Sequence, residues 1–193
     1  NFPKISYYPL ITGLGYAFTS DNTFKRTILK NLMIKLYKEG LKSASKVIFQ
    51  NKDDKNLFNK LKITKKKNLL RVVNGTGVDL KAYPFSILPS KPIFLMISRL
   101  LVDKGVREYV QAAKIVRSRF PKAIFQLAGN LDENPSGISL NELKTWIKQK
   151  NIQYLGEIES VQSILKSCRY YVLPSYREGT PRSTLEALST GRP

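Results

Sequence analysis

The chain of 193 residues contains no histidine and only one cysteine, Cys168. The lack of histidine excludes Ser-His-Asp and Cys-His catalysis, His-Glu-x-x-His zinc sites and zinc fingers with two cysteines and two histidines. A single cysteine excludes an internal disulfide and is typical of a reducing compartment, which favours a cytoplasmic protein. Any chemistry must therefore use carboxylates, arginine, lysine and backbone dipoles.

Long apolar runs and acidic side chains are also scarce. The longest apolar run, residues 93–97, is far shorter than the ~20 residues of a membrane-spanning helix. There are 33 basic and 14 acidic residues, a net charge of +19. Such a surface attracts polyanions, anionic lipid headgroups or phosphorylated ligands, but a solvated lysine-rich surface explains the charge equally well.

The two ends of the chain indicate a piece of a longer protein. The first residue is Asn1, and Gly191-Arg192-Pro193 resembles a helix exit that leads into another element. We therefore expect a fold that is truncated at both ends. Any function inferred from the sequence therefore belongs to that longer protein and not to this piece alone.

Strand-like and helix-like segments alternate along the chain. Strands are predicted at residues 46–50, 69–74, 92–98, 123–128, 152–155 and 170–173. Helices are predicted at residues 53–61, 105–120, 139–150, 160–167 and 181–190, and another follows the N-cap residues 19–22 and runs to about residue 43. This alternation predicts an α/β fold with a doubly wound parallel sheet. Two prolines and no clear period predict a linker at residues 81–91.

Ligands of open parallel sheets bind beyond the carboxyl ends of the strands. This rule selects the loops at residues 98–105, 129–137, 156–159 and 175–181. The first loop carries Arg99 and Lys104, and a guanidinium and an ammonium beside helix N-termini suit a diphosphate. Each charge-assisted contact is worth roughly 1.5–3 kcal/mol. The alternative is a pair of solvated loop charges, which is the commoner outcome for a random pair.

Two carboxylates near the last helix also have two interpretations. Glu178 and Glu186 could accept hydrogen bonds from the hydroxyls of a sugar or a ribose. Alternatively, Thr180-Pro181 forms an N-cap and a first helical residue, and Ser183-x-x-Glu186 forms a capping box. The spacing alone leaves both interpretations open.

Two Gly-x-Gly segments are weak candidates for phosphate loops. Gly13-Leu14-Gly15 and Gly75-Thr76-Gly77 do not continue as a dinucleotide fingerprint or a Walker A loop. Both are better interpreted as turns.

A set of motifs matches a known family in order and spacing. They are Ser98–Gly105, Leu127–Gly129, Tyr154–Gly156, Leu173–Ser175 and Glu178–Ala187. The set resembles the nucleotide-sugar-binding half of family-4 retaining glycosyltransferases, which have Rossmann-like domains in the glycosyltransferase-B fold. Asn74–Asp79 resembles their interdomain segment, and Thr12–Tyr16 with Phe49–Asn51 resembles the end of their acceptor-side domain.

The resemblance implies a domain division and a role for each motif residue. Residues 1–80 would be the C-terminal part of the acceptor-side domain, 81–91 the linker, and 92–193 an incomplete nucleotide-sugar domain. Arg99 and Lys104 would bind the donor diphosphate, Glu186 the ribose, and Glu178 would be the catalytic carboxylate near the donor sugar. The remaining implied contacts are Gly179, Thr180 and Pro181 to the sugar and phosphates, and Gly156, Glu157 and Ile158 to the base. Such enzymes use no metal and no cofactor.

The activity implied by the resemblance is retaining transfer from a nucleotide diphosphate sugar, a UDP-sugar, to a glycan or polyprenyl-linked acceptor. Many relatives have Gly-Phe-Gly after the first Glu, whereas this chain has Gly179-Thr180-Pro181. The Thr-Pro-Arg-Ser variant is similar to enzymes of bacterial capsule, lipopolysaccharide or exopolysaccharide synthesis. The alternatives are a non-catalytic nucleotide-sugar-binding protein and, less favoured, a basic nucleic-acid-binding module.

The basic segment Phe24–Lys42 has two interpretations of its own. Phe24, Ile28, Leu29, Leu32, Met33 and Leu36 share one broad helical face, and lysines and an arginine lie mostly opposite. The segment could rest peripherally on the anionic inner face of the cell membrane, beside a polyprenyl-linked acceptor. An ordinary packed helix is the favoured alternative.

Overall fold

The computed structural model describes residues 5–18, 24–64 and 69–193. The chain forms two compact units. The first unit comprises residues 1–76 together with Glu178–Thr180, and the second comprises residues 77–177 and 181–193. The domain limits of 1–80 and 92–193, with a linker between them, stay a prediction.

The first unit contains a small parallel sheet with strands in the order β1-β2-β3. Its described elements are β1 (Leu10–Ile11), α1 (Phe24–Gly40), β2 (Val47–Phe49), α2 (Lys52–Lys60) and β3 (Leu70–Val72). The N-cap residues predicted at 19–22 lie outside the described residues. The two-residue strand β1 has no sequence period, which is why the sequence did not predict it.

An aromatic cluster joins the elements of the first unit. Phe49 of β2 and Phe58 of α2 are both fully buried, and their ring centroids lie 4.9 Å apart, edge to face. Tyr37 of α1 approaches Phe58 at 5.1 Å in a similar geometry. Edge-to-face pairs add to the stability that burial of the rings provides, so this cluster fixes both helices on the sheet.

Helix α1 is apolar on two sides. Met33, Ile34 and Tyr37 pack against the core of the first unit. Four residues on the opposite side are exposed by half or more of their area, namely Phe24 (81%), Ile28 (54%), Leu32 (51%) and Leu36 (57%). Of the six apolar residues predicted to share one helical face, only Met33 packs against this core. An ordinary packed helix therefore does not account for the four exposed residues, which we call the exposed stripe of α1. Among the described residues, no helix is long and apolar enough to cross a membrane.

The second unit is built on a four-stranded parallel sheet in the order β6-β5-β4-β7. Its strands are β4 (Ile93–Ile97), β5 (Ile124–Ala128), β6 (Gln153–Gly156) and β7 (Tyr170–Tyr171). Its helices are α3 (Val106–Arg119), α4 (Leu140–Lys148), α5 (Val161–Ser167) and α6 (Arg182–Ser189). The sequence prediction therefore identifies every one of these elements, with ends displaced by at most two residues.

Both faces of this second sheet are covered. Leu95 and Met96 of β4 are both fully buried, but they belong to two different cores because successive strand side chains point to opposite faces. Met96 packs with residues of α3 and α4, and Leu95 packs with residues of α5 and α6. The predicted α/β, doubly wound architecture is therefore confirmed.

The beginning of α6 differs from the prediction. Pro181 is the N-cap, with ψ near 122°, and the helix starts at Arg182 rather than at Pro181. The Thr180 hydroxyl donates to the Gln50 carbonyl (3.4 Å) instead of capping the helix. The capping box is also absent, because Ser183 Oγ accepts from the Tyr171 hydroxyl at 2.6 Å and Glu186 pairs with Arg182 at 3.0 Å. Tertiary partners therefore replace the local capping pattern.

The single cysteine is part of the core of the second unit. Cys168 is fully buried beside Leu95 and Leu165. Burial raises the pKa of its thiol to about 11, although the charge of Arg192 acts in the opposite direction. Since the thiolate is the reactive form, this cysteine is an inert core residue and not a nucleophile.

Candidate functional site

The carboxyl edge of the second sheet carries Arg99, which follows β4. Its side chain is 67% exposed, and Nη1 lies 2.8 Å from Oδ2 of Asp132, whose side chain is 19% exposed. Asp132 stands in the loop after β5, 33 residues along the chain. Arg99 is thus a largely solvent-exposed cation with one carboxylate partner, an arrangement compatible with both interpretations of its role.

Backbone pairing beyond β4 and β5 fixes the position of Arg99. Ser98 N–H donates to the Ala128 carbonyl (3.1 Å), and Leu100 N–H donates to the Asn130 carbonyl (2.9 Å). Gly129 has φ +133°, and a Cβ atom there would lie 1.8 Å from the Ser98 carbonyl oxygen. Only glycine allows this approach of the two loops, which places Arg99 beside the loop that carries Asp132.

Lys104 lies in the same loop, at its junction with α3. Residues Val102–Lys104 form a 3-10 turn, and Gly105 then adopts a left-handed conformation (φ 74°) as the N-cap of α3. A Cβ atom on Gly105 would lie 2.1 Å from the Pro174 carbonyl oxygen, so this turn packs directly against the loop after β7. Lys104 is half-buried there. Arg99 and Lys104 thus belong to one loop at the carboxyl edge of the sheet, as predicted.

Glu186 is a buried carboxylate with two polar partners. Its side chain is 7% exposed, and Oε1 accepts a hydrogen bond of 3.0 Å from Arg182 Nε, one helical turn earlier. The Tyr83 hydroxyl also forms a hydrogen bond with Glu186. The pKa of Tyr83 is raised mainly by burial and, to a smaller extent, by this hydrogen bond. The helix that carries Glu186 begins beside the end of β4, where Ser183 Oγ lies 3.5 Å from the Ile97 carbonyl. Buried carboxylates are rarely kept without partners, and these two hold Glu186 in one orientation.

The segment Glu178–Thr180 belongs to the first unit. Asn51, which follows β2, donates from Nδ2 to the Glu178 carbonyl at 3.2 Å. A Cβ atom on Gly179 would lie 2.3 Å from the carbonyl oxygen of Thr12, which follows β1. The segment therefore lies at the carboxyl edge of the first sheet, where a hydrogen bond to its backbone and close backbone packing hold it.

The loop after β6 is the predicted contact to the base. Gly156 has φ +69°, and its carbonyl accepts from Gly129 N–H at 2.8 Å. Glu157 is exposed and Ile158 is half-buried. The Tyr154 hydroxyl donates to the Gly129 carbonyl (2.8 Å), and the pKa of Tyr154 is raised by burial and by the charge of Glu157. The loops after β5 and β6 are thus joined at Gly129.

The predicted site residues divide between the two units. Arg99, Lys104, Pro181, Glu186 and the loop at residues 156–158 belong to the second unit, and Glu178, Gly179 and Thr180 belong to the first. The roles assigned to these residues stay predictions. Among the described residues, no group of three or more His, Cys, Asp or Glu side chains could hold a metal ion.

Sequence reasoning missed two residues that contact this site. Asp132 and Tyr83 both contact charged groups of the site, although they are remote along the chain. The run Asp132-x-Asn134-x-Ser136-Gly137 is a signal for consecutive side-chain-capped turns, but it does not identify Arg99 as the partner. Tyr83 lies in the predicted linker and carries no pattern.

The chain was compared with known proteins. A family model described as "Glycosyl transferases group 1" matches residues 91–193, just over half of the chain. The N,N'-diacetylbacillosaminyl-diphospho-undecaprenol alpha-1,3-N-acetylgalactosaminyltransferase of Campylobacter jejuni is 35% identical over 98% of this chain and 52% of its own length. The UDP-Gal:alpha-D-GlcNAc-diphosphoundecaprenol alpha-1,3-galactosyltransferase of Escherichia coli is 27% identical over 98% of this chain and 52% of its own length.

The fold also matches that of a solved glycosyltransferase-B structure. The Anabaena protein Alr3699/HepE, solved in complex with UDP and glucose, superimposes with a TM-score of 0.70 at 17% identity, over 97% of this chain and 51% of its own. This likeness confirms the predicted fold. The chain spans about half the length of the curated relatives described above. The family model and the parallel-sheet architecture together show that the chain belongs to the group 1 glycosyltransferases.

Proposed function

We propose that the protein is a retaining glycosyltransferase of bacterial surface polysaccharide synthesis. It transfers a sugar from a nucleotide diphosphate sugar, a UDP-sugar, to a glycan or polyprenyl-linked acceptor. Because the chain spans about half of its curated relatives, this activity belongs to the whole protein. The names of two relatives support the acceptor class, since both act on undecaprenol-linked diphosphates. The UDP bound to the Anabaena structure supports the donor class.

The observation that carries the proposal is the set of charges at the carboxyl edge of the second sheet. Arg99 and Lys104 share one loop there, and α6 brings the buried Glu186 to the end of β4. When the bond between the sugar and the diphosphate breaks, negative charge develops on the leaving diphosphate. Fixed cations at that position stabilise the transition state, and they supply what a metal ion supplies in other transferases. In this proposal the enzyme uses no metal.

Glu186 suits recognition of the ribose. An ionised carboxylate accepts several hydrogen bonds, and two adjacent hydroxyls of a ribose offer two donors. Arg182 and the Tyr83 hydroxyl each take one of the roughly four lone-pair sites of this carboxylate, so it keeps acceptor capacity for a ribose. Contacts of Gly156, Glu157 and Ile158 with the base complete the nucleotide site in this proposal.

Glu178, Gly179, Thr180 and Pro181 are the proposed contacts to the donor sugar and phosphates. The backbone of Glu178 is held by Asn51, and the Thr180 hydroxyl by the Gln50 carbonyl. These bonds fix the segment through groups other than the Glu178 carboxylate. We assign to that carboxylate the catalytic role near the sugar.

The proposed function is tested by calorimetric titration of the chain with UDP and, in parallel, with GDP. Binding of UDP, tighter than binding of GDP, is the expected result, because the name of the Escherichia coli relative contains UDP-Gal and the Anabaena structure holds UDP. Circular dichroism establishes that the titrated chain is folded. Because the chain spans about half of its curated relatives, the titration extends to high nucleotide concentrations; a folded chain that still binds neither nucleotide contradicts the proposed donor site.

The exposed stripe of α1 suits a peripheral contact with an anionic membrane. Phe24, Ile28, Leu32 and Leu36 are exposed along one side of the helix, and the lysines around them, also exposed, are Lys25, Lys35 and Lys38. Apolar side chains flanked by lysines are the pattern of helices that lie in the headgroup region. We place the protein in the cytoplasm, against the inner face of the membrane that holds a polyprenyl-linked acceptor.

Flotation with vesicles tests this contact. The chain is expected to float with phosphatidylglycerol vesicles at low salt and much less with phosphatidylcholine vesicles, since each lysine near an anionic surface contributes ~1 kcal/mol. Leu32→Glu should reduce binding about tenfold or more, because it removes a leucine from the stripe and adds a repelled charge. Leu140→Glu changes an exposed leucine of α4 in the same way and should have no effect. Equal binding by the two variants would count against the stripe as the membrane contact.

A further inference from the structure

We infer that Asp132 is a positioning residue of the donor site: it holds Arg99 by one edge of the guanidinium and leaves the other edge for the diphosphate. This inference rests on the proposed function. It adds a residue that takes no part in the motifs of the resemblance and that lies in the loop after β5.

Asp132 is itself anchored on both carboxylate oxygens. Oδ1 accepts from the Asn134 backbone N–H at 2.9 Å, and Oδ2 accepts from Arg99 Nη1 at 2.8 Å. The next turn repeats the pattern, since Asn134 Oδ1 accepts from the Ser136 backbone N–H at 3.0 Å. Two consecutive capped turns therefore fix the direction of the Asp132 side chain before any ligand binds.

The loop that carries Asp132 is fastened to the loop that carries Arg99. Val102 N–H donates to the Ser136 carbonyl, and Ile138 N–H donates to the Leu100 carbonyl, both at 2.8 Å. Gly137 keeps the Asp132 loop itself compact, because a Cβ atom there would lie 2.1 Å from the Asp132 carbonyl oxygen. The distance between Asp132 and Arg99 is thus set by backbone bonds on both sides of the pair.

The arginine retains what a phosphate needs. Its side chain is 67% exposed, and among the described residues its guanidinium makes one side-chain hydrogen bond, through Nη1. The edge formed by Nε and Nη2 is the one that binds two oxygens of a phosphate in parallel. An exposed arginine without a partner samples many rotamers, and ordering it on binding lowers affinity. Asp132 reduces this loss, because its hydrogen bond to Nη1 orders the Arg99 side chain before the ligand binds.

Repulsion between Asp132 and the diphosphate acts against this benefit. Arg99 offsets part of the Asp132 charge, and Lys104 adds a further positive charge in the same loop. Orientation is therefore expected to outweigh repulsion. If removing the Asp132 charge lowers UDP affinity, orientation of Arg99 is the larger effect; if it raises UDP affinity, repulsion is the larger effect.

Asp132→Asn is the decisive variant. Asparagine keeps the Oδ1 acceptor for the Asn134 N–H but removes the charge that holds Arg99, so the turn is preserved. In calorimetric titrations of the full chain with UDP, we expect Asp132→Asn to bind roughly three- to tenfold more weakly, the effect of ordering one long side chain. In the Arg99→Ala background, the same substitution should change UDP affinity less than twofold, because its partner is absent.

Glu142→Gln is the matched control. It breaks a similar ion pair, between Arg107 Nε and Glu142 Oε1 at 2.7 Å, in the same unit but on α3 and α4. This variant should bind UDP as the wild type does, and all variants should melt within a few degrees of the wild type.

Each other outcome has a defined meaning. If Asp132→Asn binds UDP as well as or better than the wild type, Asp132 does not position Arg99 for the ligand and the inference is wrong. A loss that persists in the Arg99→Ala background would assign Asp132 a structural role and would also overturn it. If the wild-type chain, folded, binds no UDP, the donor site itself fails, which is a different result from the first two.

Discussion

Replacing Arg99 by alanine is expected to weaken the binding of UDP roughly 10- to 150-fold, the loss that follows when one charge-assisted contact to phosphate is removed. The side chain is two-thirds exposed and packs against little, so the fold should not depend on it. The effect should therefore appear in calorimetric affinity, while the melting temperature stays near that of the wild type.

Two further variants define the chemistry of this contact. Arg99→Lys keeps the positive charge but loses the parallel pair of donors, so its affinity should lie between those of the wild type and Arg99→Ala. Arg107→Ala removes another arginine of the second unit that is paired with a carboxylate, Glu142, and it should leave UDP affinity unchanged. If Arg107→Ala and Arg99→Ala weaken binding equally, general electrostatic attraction by a chain of net charge +19 explains the binding, and Arg99 has no specific role.

The positions of Arg99 and Lys104 could be predicted because they depend on one local rule. A strand followed by a loop and a helix places the loop residues at the carboxyl edge of a parallel sheet. The strand at residues 93–97 and the helix that follows Gly105 are strongly patterned, so the loop between them was placed correctly. The continuously apolar sequence of β4 agrees with helices on both faces of the sheet, since Leu95 and Met96 pack into two different cores.

What could not be predicted depends on contacts between distant segments. Asp132 meets Arg99 because Gly129 lets its loop approach Ser98 closely and because Gly137 allows the tight turn within the Asp132 loop. Thr180 matches an N-cap by its sequence, but its hydroxyl bonds to the carbonyl of Gln50, 130 positions earlier. In both cases a tertiary hydrogen bond competes with a local pattern, and the sequence around each residue carries no trace of its partner.

Gly129→Ala is expected to destabilise the second unit strongly. Its Cβ atom would lie 1.8 Å from the Ser98 carbonyl oxygen and 2.8 Å from the Ser98 carbonyl carbon, both backbone atoms that side-chain rotation does not move. The φ of +133° adds strain for any residue with a Cβ atom. Strain and overpacking each cost roughly 1–3 kcal/mol, so the free energy of unfolding should fall by about 3 kcal/mol or more. Thermal unfolding followed by circular dichroism should show a melting temperature lower by roughly 10 °C or more.

Gly156→Ala separates the two causes. Gly156 also has a positive φ, +69°, but no atom lies within 4 Å of the Cβ position, so alanine there adds strain without overlap. It should cost only about 1–2 kcal/mol. If the two variants are equally stable, backbone strain alone explains the effect and the close approach of Gly129 to Ser98 is unimportant. If Gly129→Ala is clearly the less stable, and the folded fraction also binds UDP more weakly, the same contact that joins β4 and β5 also positions Arg99. The stability of the sheet edge and the geometry of the donor site would then depend on one glycine.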